Sequence, residues 1–229
     1  MLKTFKEFKL YAMNLGALYW LLQRIAPKYW ALAAFVGSTY FMTVLFTLHF
    51  LRTDLDPYAT PVSWYRLSDT SGYLASGFFL AGAGEIILAA LLPLAFRNVS
   101  GWGRLFLFLA GAGIFMLGVQ REGTIHLMGA LFQAMFFPIG VLMLGDAMEI
   151  GFYKRLCQVF STATLTLFPL MVIAFDGNSV LHPYFGLLEK ITIIVMMTWS
   201  GVVLHEIYRQ SKNIEIFKPR KLTEHEFTC

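Results

Sequence analysis

Six apolar stretches dominate the chain, at 29–51, 73–96, 103–119, 124–145, 156–175 and 184–207, with charged residues, proline and glycine gathered between them. An α-helix rises about 1.5 Å per residue, so about 20 apolar residues cross the roughly 30 Å hydrocarbon core of a bilayer. The third stretch is the shortest and sits at that limit. The pattern predicts an all-α fold, an integral membrane bundle of six transmembrane helices over 29–208, followed by a polar tail over 209–229. Ahead of the first span, Phe5, Phe8, Ala12, Leu15, Tyr19 and Leu22 recur at spacings of three and four, while Lys3, Lys6 and Lys9 fall on other faces. The uncharged run 10–22 is too short to span, so 1–28 is predicted as an amphipathic helix lying in the cytoplasmic interface. A signal peptide would need small residues at a cleavage site, where this chain has Gln23, Arg24 and Ile25.

Composition agrees with that pattern. Of 229 residues 57% are hydrophobic and 14% charged, with a mean hydropathy of +0.62, against about 25% charged in soluble domains. The net charge of +4 does not point to nucleic acid, because Lys and Arg sit at the ends of apolar runs. They sort by loop instead. Lys3, Lys6, Lys9, Arg24, Lys28, Arg97, Arg104, Lys154, Arg155, Arg209, Lys212, Lys218, Arg220 and Lys221 fall on one side, and Arg52, Arg66, Arg121 and Lys190 on the other. Positive residues favour the cytoplasmic side, so the expected location is the cell (inner) membrane with both termini in the cytoplasm.

Candidate chemistry clusters at the external ends of the predicted spans. The segment 51–72 carries Arg52, Asp54, Asp56, Arg66 and Asp69, with Pro57 and Pro61 restricting the backbone and Trp64 and Tyr65 suited to the headgroup level. It is expected to fold as an ordered cap that brings its charges near Arg121, His126 and the Glu189–Lys190 pair. Arginine donates in pairs to phosphate or carboxylate, which makes Arg52, Arg66 and Arg121 candidates for an anionic ligand; mutual neutralisation by the acids is the competing expectation. His126, Ala130 and Gln133 share one helical face. Glu85 falls in the middle of the second span, where a charge costs about 3 kcal/mol, so it is expected to face the bundle interior. The tentative ligand-binding set is therefore Arg52, Arg66, Glu85, Arg121, His126, Gln133 and Glu189. A metal set of His49, Asp54, His126 and His182 has suitable donor types but no HxxxH or HExxH spacing.

Small residues at Gly77, Ala81, Gly84 and 110–113 suit close helix approach. Pro93, Pro138 and Pro169 are expected to free carbonyls that nearby Ser or Thr hydroxyls satisfy. Cys157 and Cys229 form no CxxC pair, and nucleophile elbows, phosphate loops and haem motifs are absent.

Three segments carry a resemblance: LHFLRTDLDPYATPVSWY at 48–65, GTIHLMGALFQAMFFPIGVLML at 123–144 and GLLEKITIIVMMTWSGVVLHEIY at 186–208. With the span pattern they make the chain resemble the membrane-protein family of domain of unknown function 998 (DUF998) over most of 30–208. Trp64 stands where such proteins often carry an acid after the serine, and MLGVQREG replaces an expected Pro-x-Asp, which alters any acid-based site. The resemblance implies a multi-span membrane protein and brings no reaction with it.

The expected partners are the lipid bilayer and a membrane protein complex, with no nucleic acid and no cofactor required. Three functions fit: a non-catalytic accessory or assembly subunit or binder of lipid or another hydrophobic ligand, which is favoured; a metal-dependent hydrolase built on the histidines; and a small proton-coupled transporter centred on Glu85. The carrier lacks two clearly related halves.

Overall fold

The computed structural model describes residues 26–66, 71–96, 98–120, 122–148 and 151–213. Residues 1–25 of the expected interfacial helix and most of the tail lie outside the described residues, as do Asp69, Arg97 and Arg121, while Pro27 and Lys28 belong to the first spanning helix. The described residues form α1 (Pro27–Leu51), α2 (Ser71–Ala95), α3 (Gly101–Val119), α4 (Thr124–Ala147), α5 (Gly151–Phe175) and α6 (Phe185–Asn213), with short 3-10 turns at Val62–Arg66 and His182–Tyr184. Each of the six is long and apolar enough to cross a membrane. Even α3, at 19 residues, rises about 28 Å.

Two boundaries differ from expectation. Helix α5 starts at Gly151 and so includes Lys154 and Arg155, and α6 continues to Asn213 through Arg209 and Lys212. Apolar windows mark the hydrocarbon, whereas a helix continues into the headgroup layer because long basic side chains keep their charge in water.

Consecutive helices pack side by side, and α6 closes the ring by returning against α1 while also reaching α2. Half of the apolar window of α2 is buried, against 17% of that of α5, so α2 is the central element and α5 the peripheral one. Two AGAG runs, at 81–84 in α2 and at 110–113 in α3, set the spacing. A Cβ on Gly82 would lie 2.8 Å from the Gly111 carbonyl oxygen, and one on Gly113 would lie 2.6 Å from that of Gly129. Backbones touch here because no side chain intervenes, which maximises dispersion contacts where lipid supplies no hydrophobic drive.

The same α2–α3 register sets Arg104 opposite Ala89. Pro93 has no N–H for the Ala89 carbonyl four residues earlier, and Arg104 Nε donates to that oxygen at 2.9 Å. An arginine from the next helix thus fills a gap that was expected to fall to hydroxyls. Ser161 Oγ does donate to the carbonyl of Pro138 itself, at 2.8 Å, tying α5 to α4. Thr166 bonds the Thr162 carbonyl in its own helix at 2.9 Å, not the Leu165 carbonyl that Pro169 frees. Gly123, at φ +93°, turns the chain between α3 and α4 in a conformation that side chains resist.

Candidate functional site

The segment between α1 and α2 lies over one end of the ring and is fastened to α1, α3 and α6. On α6, Leu187 N donates to the Tyr58 carbonyl at 2.8 Å, and Glu189 Oε2 accepts from Val62 N at 2.7 Å. Lys190 Nζ donates to the carbonyls of Pro57 at 2.6 Å and Thr60 at 3.0 Å, and it stands 5.3 Å from the centre of the Tyr65 ring. Gly186 packs directly under the Thr60 carbonyl, where a Cβ would clash. On α1, His49 Nδ1 lies 3.0 Å from the Tyr65 hydroxyl. Burial pushes the Tyr65 phenol up from its usual range, so at neutral pH it keeps a proton to share with that nitrogen.

Arg66 reaches α3. It is 7% exposed and donates through Nη1 to the Leu117 carbonyl and to Gln120 O at 3.3 Å, and through Nη2 to Gly118 O at 3.2 Å. These are last-turn carbonyls without helical partners, at the negative end of the helix dipole, so a guanidinium there satisfies both the geometry and the charge. His126 Nδ1 meets the same Gln120 oxygen at 3.1 Å from α4. Arg52 pairs with Asp54 through Nε at 2.8 Å and Nη2 at 2.7 Å. That bond holds the Asp54 carboxyl below its ordinary range. The pair's contribution is therefore complete above the ordinary carboxylate range and is lost as pH falls through the lowered value.

The sequence-derived sets consequently divide. Glu189 accepts from the cap backbone, Arg66 donates to the carbonyls at the end of α3, and Arg52 donates to Asp54 through Nε and Nη2 while its Nη1 is buried without a hydrogen-bond partner. Glu85 and Gln133 lie deeper: Ser200 Oγ is bonded to Glu85 Oε1, and Gln133 Nε2 lies 3.7 Å from Met196 Sδ. Among the described residues no three His, Cys, Asp or Glu side chains gather in metal-binding reach. His49, Asp54, His126 and His182 are held apart by separate partners, the last through the Ala174 carbonyl at 3.1 Å.

Sequence reasoning did not find the cleft beside the cap. Met42, Leu45, Phe46 and His49 of α1, Pro57 and Tyr58 of the cap, and Leu187, Lys190, Ile191 and Ile194 of α6 enclose about 230 Å³. Its walls are apolar, and its polar groups, His49 and Lys190, sit together at the cap end. Phe46 and Ile194 are exposed on its rim, so it opens sideways, towards lipid in a spanning bundle. The α1–α6 contact that closes the ring creates it, and its two walls lie more than a hundred residues apart in the chain.

A closed ring of six apolar helices under a fastened cap defines a multi-pass membrane protein. The chain belongs to the family described as Protein of unknown function (DUF998), whose model matches residues 35–206, from the first turns of α1 almost to the end of α6. Comparisons with curated proteins and with solved structures gave no match.

Proposed function

We propose that this is a non-catalytic lipid-binding protein of the cell membrane, with both termini in the cytoplasm and the cap at the outer face, and that the α1–α6 cleft holds one phospholipid acyl chain. The supporting observation is the polarity of the cleft: aliphatic and aromatic walls end at one cation and one histidine. A phospholipid has the same layout, with its phosphate at the headgroup level above an apolar chain. Lys190 uses two of its three donors on the cap carbonyls and keeps one for a phosphate oxygen. The two acids near Lys190 are engaged by the cap backbone, Asp56 Oδ1 accepting from Tyr58 N at 2.8 Å and Glu189 Oε2 from Val62 N at 2.7 Å. The cleft is smaller than the roughly 300–1,000 Å³ that encloses whole ligands, which suits a single chain lying along a groove.

The test is native mass spectrometry of detergent-purified protein. The wild type is expected to retain a phospholipid adduct that Ile191→Trp, which fills the cleft, reduces at least several-fold. Val172→Trp, on the exposed face of α5, should leave it unchanged. Equal retention by all three proteins would remove the cleft from the account.

A further inference from the structure

Glu85 plays no part in the cleft, and its hydrogen bonds can be counted. It lies near the middle of α2 at 1% exposure, with Oε1 against Ser200 Oγ of α6 and Oε2 enclosed without a hydrogen-bond partner. Ser200 Oγ also lies 3.1 Å from the Met196 carbonyl oxygen of its own helix. A serine hydroxyl has one hydrogen, and here two oxygens compete for it.

An ionised Glu85 leaves this arrangement short of donors. It would take the serine hydrogen, strip Met196 of that bond, and still bury a charge with one oxygen bare. Among the described residues no cation faces it either. Glu85 is the one acidic or basic residue of α2. From α3 the neighbour is Gly111, whose Cβ position is 2.9 Å from Glu85 Cβ, while Arg104 is directed to the Ala89 carbonyl. From α1, Ala34 and Ser38 pack against Gly84, and Ser38 Oγ donates to Ala34 O at 3.2 Å. From α6 the contact is Ser200. A buried carboxylate without a counter-charge takes up a proton.

We propose that the folded bundle binds one proton at Glu85 as a structural ligand: the neutral acid donates through Oε1 to Ser200 Oγ, which donates in turn to the Met196 carbonyl, and this chain joins α2 to α6. Both hydrogens are then used. What remains is Oε2, a neutral carbonyl oxygen, far cheaper to enclose than a charged one.

The experiment is an infrared difference spectrum, wild type minus Glu85→Gln, on protein in lipid at neutral pH. Glutamine is nearly isosteric, and its amide can donate to Ser200, so the variant is expected to fold. The expected result is a carbonyl band of a protonated carboxylic acid, moved in Ser200→Ala, which removes the acceptor. Carboxylate bands alone would overturn the proposal, as would an acid band that Ser200→Ala leaves in place. Should Glu85→Gln fail to fold, carboxyl-labelled glutamate in the wild type gives the same reading by carbon NMR: a neutral carboxyl sensitive to Ser200→Ala supports the proposal, and its absence refutes it.

Discussion

Replacing Arg66 by methionine is expected to lower unfolding stability by about 3 kcal/mol, since hydrogen bonds to a charged group contribute about 1.5–3 kcal/mol each and stranded buried acceptors cost about 1–3 kcal/mol more. Methionine keeps much of the apolar stem, so the loss reports on the carbonyls of Leu117, Gly118 and Gln120 and not on a void. Arg66→Lys should recover only part of the loss, because one ammonium cannot span three carbonyls as a planar fork does. Thermal or denaturant unfolding in a fixed detergent measures it. An Arg66→Met protein as stable as the wild type would show that water satisfies the end of α3.

The second large effect is expected at the α3–α4 crossing. A Cβ on Gly113 would lie 2.6 Å from the Gly129 oxygen, 2.8 Å from Phe132 Cβ and 2.9 Å from Gln133 N, and one on Gly129 would lie 2.7 Å from the Gly113 oxygen. Two of the atoms met at Gly113 are backbone, so a helix must move. Gly113→Ala is expected to cost about 3 kcal/mol, at the upper end of overpacking effects, and Gly113→Leu to prevent folding. Adding Gly129→Ala to Gly113→Ala should cost less than its own single effect, because the helices are already apart. Gly101 supplies the control: nothing lies within 4 Å of its Cβ position, and Gly101→Ala should be neutral or slightly stabilising. The same unfolding assay reads Gly113→Ala, Gly129→Ala, the double variant and Gly101→Ala, and equal effects at Gly113 and Gly101 would contradict the close crossing.

The spans were legible in the sequence because their length and apolarity follow from the bilayer itself. Glu85 was legible for the same reason, since the cost of a mid-membrane acid dictates an inward orientation. The fate of the arginines was not. A sequence shows that Arg66 and Arg104 are cationic, but the carbonyls they satisfy belong to the end of α3 and to the proline gap in α2, which exist only once those helices are formed. One signal was available: the register that opposes the two AGAG runs also places Arg104 beside Ala89, four residues before Pro93. His49 was singled out for its donor chemistry, yet its ring bonds Tyr65 of the cap, and its neighbour across the cleft, Lys190, entered as a topology signal and as a neighbour of the cap but not in the ligand-binding set. The cleft itself has no local signature, because neither wall is distinctive until α6 returns against α1.

The lipid-binding reading is tested most directly by mapping where a phospholipid with a photoreactive group in its acyl chain attaches to the protein in membranes. Labelling is expected to concentrate on peptides holding Met42–His49 of α1 and Leu187–Ile194 of α6, well above their share of exposed surface. Exposure alone would favour α5 instead, where Val159, Val172, Ile173 and Phe175 are all more than half exposed. Labels spread by exposure, with α5 carrying the most, would contradict a specific acyl site.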